Sequence, residues 1–238
     1  RLDAHLLQVQ LHLATNTPHF RHICIAQHPI TLETAAETAK TRQRILDAAA
    51  EIFATQGFPD TTLDQIARRA GMTRGAVYWH FKDKQDLLHS VLTEQAHPLE
   101  LEISTDACLE TAWTRVQAAL INAVSRQQSK QLSEILIYHG LDDTGEIQLR
   151  LVKARAQFIR HLCSVLENAI ARGELSDKLN VRTVTDILKG SVTGLLYECL
   201  KCPGQDTYII HSTLQSLLYL LKNPPPHLLQ SNPLAEQT

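Results

Sequence analysis

A chain of 238 residues with 44% hydrophobic and 20% charged residues can bury a sizeable core, which excludes intrinsic disorder. Five widely spaced cysteines (Cys24, Cys108, Cys163, Cys199 and Cys202) make a poor disulfide framework, so reduced thiols and a cytoplasmic location are expected. No apolar run approaches the ~20 residues needed to cross a bilayer, and no membrane partner is expected. The net charge of −2 names no partner, but residues 61–84 hold five Lys/Arg against two Asp/Glu, a basic focus compatible with a nucleic-acid footprint.

Glycine and proline fall mainly between long amphipathic stretches and alternating β-branched runs are nearly absent, which predicts an all-α fold. Residues 1–35 hold five of the twelve histidines at spacings that match no compact metal site. They read as a leader with little structure before about Thr34. Ile45, Ala48, Ala49, Ile52 and Phe53 recur at helical spacing, and Gly57 with Pro59 supplies a stop. Thr62-Leu63-Asp64-Gln65 has the form of a capping box opening a second helix to Ala70. Gly71 suits the left-handed turn that ends this helix, and Thr73 caps a third from Arg74 to about His80. Two short helices joined by three residues form a helix-turn-helix. Asp83 caps a fourth helix through Leu87, Leu88, Val91 and Leu92. Longer helices are predicted near 107–128, 130–140, 144–172, 181–201 and 207–222, with Gly140-Leu141-Asp142-Asp143 as a solvated loop. Pro224-Pro225-Pro226 ends the last helix and leaves a frayed tail over 224–238.

The chemistry concentrates in Thr73 to Lys84. Val77 and Phe81, four apart, anchor the third helix to the core beneath it. Arg74 offers a fork matching guanine O6 and N7, and the small Gly75 and Ala76 let the backbone approach base edges. Thr62 and Thr73 lie at helix N-termini, where free amides suit a phosphate oxygen. Tyr78, His80 and Lys84 add a hydroxyl, an imidazole and an ammonium for the same backbone. Trp79 joins this double-stranded-DNA-binding set, with a place in the small core as its alternative.

Residues 41–92 resemble the DNA-binding domain of the TetR/AcrR family of repressors. The resemblance rests on Thr41-Arg42-Gln43-Arg44-Ile45-Leu46-Asp47-Ala48-Ala49, Gly57, Thr61-Thr62-Leu63, Ile66-Ala67-Arg68-Arg69-Ala70-Gly71 and Thr73 through Phe81. The last run is similar to repressors of multidrug efflux operons. The resemblance implies a helix-turn-helix domain over 36–84 and a helical ligand-binding and dimerisation domain over 85–223. A homodimer would pair its last two long helices with those of a second copy and bind a pseudo-palindromic operator. Apolar stripes on consecutive helices agree with that: Val184, Ile187, Leu188, Ser191 and Leu195, then Leu214, Leu217, Leu218 and Leu221. The alternative is that these stripes face the domain's own core. A hydrophobic small-molecule effector is implied, and aromatics in apolar helix faces are its candidate contacts: Trp113, Tyr138, Phe158 and Tyr197, with Ile137 beside them.

The sequence holds no Gly-rich phosphate loop, no H-E-x-x-H and no nucleophile elbow, so no catalytic residue, metal or cofactor is expected and the chain does not read as an enzyme. Cys199-Leu200-Lys201-Cys202 leaves a thiol-sensing repressor as one alternative. An architectural DNA-binding protein is another.

Overall fold

The structure, a computed structural model, describes residues 32–100, 107–140, 145–202, 204 and 206–230, with the backbone alone at 32–34. Most of the histidine-rich leader, Cys24, the Leu141-Asp142-Asp143 loop and the last eight residues lie outside the described residues. The chain divides between Thr38 and Ala39 into two compact units. Of the first, the described part is the opening of a helix; the second holds everything that follows.

The architecture is all-α. The described helices are α1 (Leu32–Gln56), α2 (Leu63–Ala70), α3 (Arg74–His80), α4 (Lys84–Thr93), α5 (Leu109–Ser125), α6 (Gln127–Glu134), α7 (Glu146–Ala171), α8 (Val181–Lys201) and α9 (Asp206–Lys222). Two hydrophobic cores hold them together. In the first, Ile45, Ala49 and Phe53 of α1 meet Ile66 of α2, Val77 and Phe81 around α3, and Leu87, Leu88, Val91 and Leu92 of α4. This core runs on past residue 84 and takes in Leu132, Ile135, Leu136, Ile147 and Leu151 from the later helices. The second core is built from α5, α7, α8 and α9 around Leu120, Leu166, Leu188 and Ile210.

The predicted helix starts are met by the side chains expected of them. Thr62 accepts from the amide of Gln65 while the Gln65 side chain accepts from the Thr62 amide at 2.7 Å, a complete capping box. Gly71 has φ +66°, ends α2 in the left-handed region, and lets its amide reach back to Arg68 O at 3.1 Å. A side chain there would be strained, and its Cβ would lie 3.3 Å from Arg44 Nη2. Thr73 caps α3 through the amide of Ala76 at 3.2 Å, and Asp83 caps α4 through that of Asp86 at 2.8 Å.

Three features depart from the sequence expectations. The helix predicted over 130–140 is α6 followed by one π-helical turn, Ile135–His139. Gly140 closes it because a Cβ there would come within 2.4 Å of Leu136 O. The tail is docked as far as it is described: after Pro224, Pro226–Leu228 forms a 3₁₀ turn that buries Leu228. Asn180 N donates to Leu228 O at 2.8 Å and Gln230 N to Lys178 O at 2.7 Å, a short bridge that satisfies groups a frayed tail would leave to water. The stripes assigned to a second copy face inward instead. Val184, Leu188, Leu195, Leu214, Leu217, Leu218 and Leu221 are all buried in the second core. Of the stripe residues only Ile187 is exposed and Ser191 half-buried. A helix with 3.6 residues per turn buries its most continuous apolar row against its own domain first. The outer faces of α8 and α9 carry exposed Ile187, Tyr197, Tyr208, Tyr219 and Leu220.

Candidate functional site

The α2–α3 turn presents a solvent-facing surface on a rigid base. Among α3 residues only Val77 is buried, and Phe81 at its C-terminal cap seals the core below. Arg74, Gly75, Tyr78 and Trp79 face solvent, with Trp79 71% exposed, while Ala76 and His80 are half-buried. Trp79 is therefore outside the core, and its indole meets the His80 ring edge-on at 4.6 Å between centroids. Arg74 donates to the Tyr78 hydroxyl at 3.2 Å and pairs with Asp64 at 3.4 Å. Its fork is thereby steered along the exposed face by two weak partners, and an exposed pair of this kind binds too weakly to resist a base edge. Burial and the Arg42 cation push His80 below the ordinary histidine range, leaving a neutral imidazole at pH 7.

The other candidate DNA contacts separate by what already occupies them. The Thr62 hydroxyl donates to Gln65 Oε1 at 2.9 Å and Thr73 Oγ1 receives the Ala76 amide, so both are first of all helix caps on the exposed side. Lys84 is more strongly committed. Its ammonium donates to the carbonyls of Phe58 and Thr61, each at 2.8 Å, and to Pro59 O at 3.3 Å, and it lies 4.3 Å from the Phe58 ring centroid. An ammonium has three protons, and here each has an acceptor, so Lys84 pins the loop before α2. Lys82 is exposed, stands two residues past α3 and has no ion pair among the described residues. Its signal was charge within the motif, and the sequence-derived set omits it. Among the nearby arginines, Arg42 pairs with Glu94 and Arg69 with Glu51, while Arg44 donates to Ala70 O at 2.9 Å and Arg68 to Asp64 O at 3.4 Å.

The second feature is a cavity of about 270 Å³ enclosed by α7, α8 and the π-helical turn. Leu136, Ile137, Phe158, Val192, Leu196 and Tyr197 give it an apolar wall, and His97, Arg155 and Lys189 also line it. Ile137, Phe158 and Tyr197 from the candidate ligand set thus share one space. Tyr138 sits behind that wall, its ring 6.1 Å from Tyr197 and under the Lys201 ammonium at 4.7 Å. Trp113 is elsewhere: it is buried in the second core, where its indole N–H donates to Leu214 O at 2.9 Å and ties α5 to α9. It reads as structure because a buried indole needs a fixed acceptor and has found one.

His97 joins this cavity to the first core. Its Nε2 lies 2.9 Å from Ser133 Oγ, and its Nδ1 accepts from Leu99 N at 3.2 Å. Burial pushes it down to about 4, with Glu100 opposing and Arg150 assisting. Arg150 makes a fork-to-fork pair with Glu100 and donates to Leu92 O at 2.9 Å, locking α7 to the end of α4.

Cys199 is buried, and burial with the nearby Asp206 and Glu198 raises its thiol to about 11, while Cys202 is exposed at the end of α8. Among the described residues no group of three or more His, Cys, Asp or Glu could hold a metal ion, and no helix is long and apolar enough to cross a membrane.

Comparison with known proteins decides the family. Residues 45–91 match the family model for bacterial regulatory proteins of the tetR family. The chain is 50% identical over 197 residues to the HTH-type transcriptional regulator SrpR of Pseudomonas putida, covering 83% of this chain and 92% of that protein. It is 32% identical over 203 residues to the transcriptional repressor BepR of Brucella suis, covering 80% and 96%. The chain belongs to the TetR family. Among solved structures, NalD of Pseudomonas aeruginosa, the secondary repressor of the MexAB-OprM multidrug efflux pump, aligns with a TM-score of 0.56 at 28% identity over 77% of this chain and 96% of that one. As a TetR-family transcriptional repressor the chain is not an enzyme, and the helix-turn-helix of α2 and α3 is its DNA-binding element.

Proposed function

We propose that this protein represses a multidrug efflux operon as a homodimer on a pseudo-palindromic operator and leaves the DNA when an apolar small molecule enters the cavity. The observation that carries the reading is the exposed α3 face. A seven-residue helix buries only Val77 and holds Arg74, Tyr78 and Trp79 in solvent, an arrangement that makes little sense for packing and good sense for a groove. At 1.5 Å per residue α3 is ~10 Å long, short enough to lie across a major groove. Arg74, Gly75 and Ala76 are assigned to base edges, and Thr62, Thr73, Tyr78, His80 and Lys82 to the phosphate backbone, with Trp79 packing against the sugar edge. Lys84 acts from behind, by holding the loop that sets the start of α2.

The dimer is assigned to the outer faces of α8 and α9, where Ile187, Tyr208, Tyr219 and Leu220 are exposed and Gly190 has open space above it. Two reading heads about one helical turn apart, ~34–36 Å, then require a palindromic site. The efflux assignment draws on NalD and on the apolar wall of the cavity. A ligand that fits only one spacing of the heads shifts operator affinity by a coupling of typically 1–3 kcal/mol.

The test is an unbiased selection of genomic fragments by the purified chain, with Arg74→Ala as control. The expected result is a palindrome beside a transporter operon, lost or relaxed in the variant. Many dispersed fragments without a shared motif would refute the reading in favour of an architectural role.

A further inference from the structure

The cavity wall is apolar, but its charge is one-sided. Arg155 of α7 and Lys189 of α8 both line it, and among the described residues no carboxylate does. The polar groups around the space differ in how far they are already used. His97 has Ser133 Oγ on Nε2 and the Leu99 amide on Nδ1. The Thr193 hydroxyl donates to Lys189 O at 2.9 Å, and the Lys189 ammonium pairs with Asp186 at 2.5 Å. Arg155 has neither a hydrogen bond nor an ion pair among the described residues, whereas Arg150, about a turn and a half earlier on α7, is tied to Glu100. Its guanidinium is a planar fork of donors matched to a carboxylate, at the rim of a space walled by Phe158, Ile137 and Leu196.

We infer that the preferred effector is an amphiphilic anion: a carboxylate held by the unpaired Arg155, and an aliphatic or aromatic body in the cavity. The assignment rests on the reading of this cavity as the effector site. Apolar burial supplies most of the affinity and the cation supplies the choice of headgroup, because neutral analogues leave the Arg155 fork to water. At about 270 Å³ the space lies near the small end of the ~300–1,000 Å³ common for ligand sites, so a single acyl chain or one substituted ring fits better than a large polycyclic drug.

The test uses the full chain and two isosteric probes, decanoate and decanamide, with affinity measured by calorimetry and operator release by fluorescence anisotropy. Decanoate is expected to bind roughly fivefold to tenfold more tightly at low salt, with the preference shrinking as salt rises. Arg155→Gln should remove about that factor for decanoate and leave decanamide within about twofold. Arg155→Lys should restore part of it. Since Arg155 is exposed and unpaired, both variants should melt with the wild type. Equal binding of the two probes, or equal loss of both in Arg155→Gln, would overturn the anion preference. If decanamide nevertheless releases the operator, the ligand-released repressor stands and only the headgroup assignment falls. Binding of neither probe also overturns the inference; release of the operator by a neutral molecule such as toluene would then keep the repressor reading, and failure of that too would end both.

Discussion

The reading head and the ligand cavity are assembled in opposite ways. Every candidate DNA contact lies between Thr62 and Lys84, and several are placed by neighbours a few residues away: Thr62 by Gln65, Thr73 by Ala76, Arg74 by Tyr78. The cavity gathers His97, Ile137, Phe158 and Tyr197 from a hundred residues of chain, and each is placed by the packing of α7 on α8 and on the turn that follows α6. A surface built from local caps tolerates changes elsewhere in the molecule. A space built from distant helices is sensitive to every one of them. The seam between the two, where Arg150 clamps α7 to the end of α4 and His97 reaches Ser133, is where the local design depends on the distant one.

Breaking that seam should have the largest effect. The Arg150 and Glu100 side chains are only 11% and 10% exposed, so Arg150→Met leaves a carboxylate mostly out of water with its partner gone and frees Leu92 O. A loss of about 3 kcal/mol in urea unfolding is expected, at the lower end of what removing one member of a buried pair costs. A loss below about 1 kcal/mol would mean that the head does not lean on α7.

The same seam should respond to acid. His97 titrates at about 4 in the folded chain against ~6.5 unfolded, so between those values the unfolded chain binds a proton that the folded one refuses. Stability is therefore full above ~6.5 and falls as the pH drops toward about 4, by about 3 kcal/mol over the whole window. Comparing urea midpoints at pH 7 and pH 5 for the wild type and His97→Gln isolates this contribution. Equal acid sensitivity in the variant would show that His97 is not the group responsible.

This contrast also explains what could be read in advance. The caps Thr62, Thr73 and Asp83, the left-handed Gly71 and the exposed face of α3 follow from hydrogen-bond needs within a turn or two, and each has a residue type that announces it. Lys84 misled because a basic side chain in a basic motif has the same composition whether it faces phosphate or three carbonyls. The stripes of α8 and α9 misled for a related reason: Leu188 and Leu214 have the period of a helix face, but the period does not say which neighbour that face meets. His97, Arg150 and Arg155 carried no local signal, since their roles exist only once α7 has packed. The Ile135–His139 turn was equally silent, because Gly140 can end an α-helix as readily as it closes a π-helical one.

On the side of the reading head, Arg74→Ala should leave melting unchanged, because the side chain is exposed and its bonds to Asp64 and Tyr78 are weak. Operator affinity should fall roughly tenfold, with selectivity relaxed at one position in each half-site, while the slope of affinity against salt changes little. Lys82→Ala should do the reverse, weakening binding to all sequences alike and reducing that slope. A uniform loss in Arg74→Ala would move Arg74 from base edge to phosphate.

The smallest effect is expected from the thiols. A sensing pair needs a thiolate at neutral pH, and Cys199 is shielded in the second core with its thiol raised to about 11 by burial and by the acidic Asp206 and Glu198. Cys202 is exposed, but its potential partner three residues earlier points into packed leucines, and reaching it requires α8 to unwind its last turn against Leu196 and Leu200. Operator affinity measured before and after mild peroxide treatment should therefore agree within about twofold, in the wild type and in Cys202→Ser alike. An oxidant-dependent loss of binding that Cys202→Ser abolishes would mean that the end of α8 opens readily, and the cavity beneath it would then be gated by redox chemistry as well as by its ligand.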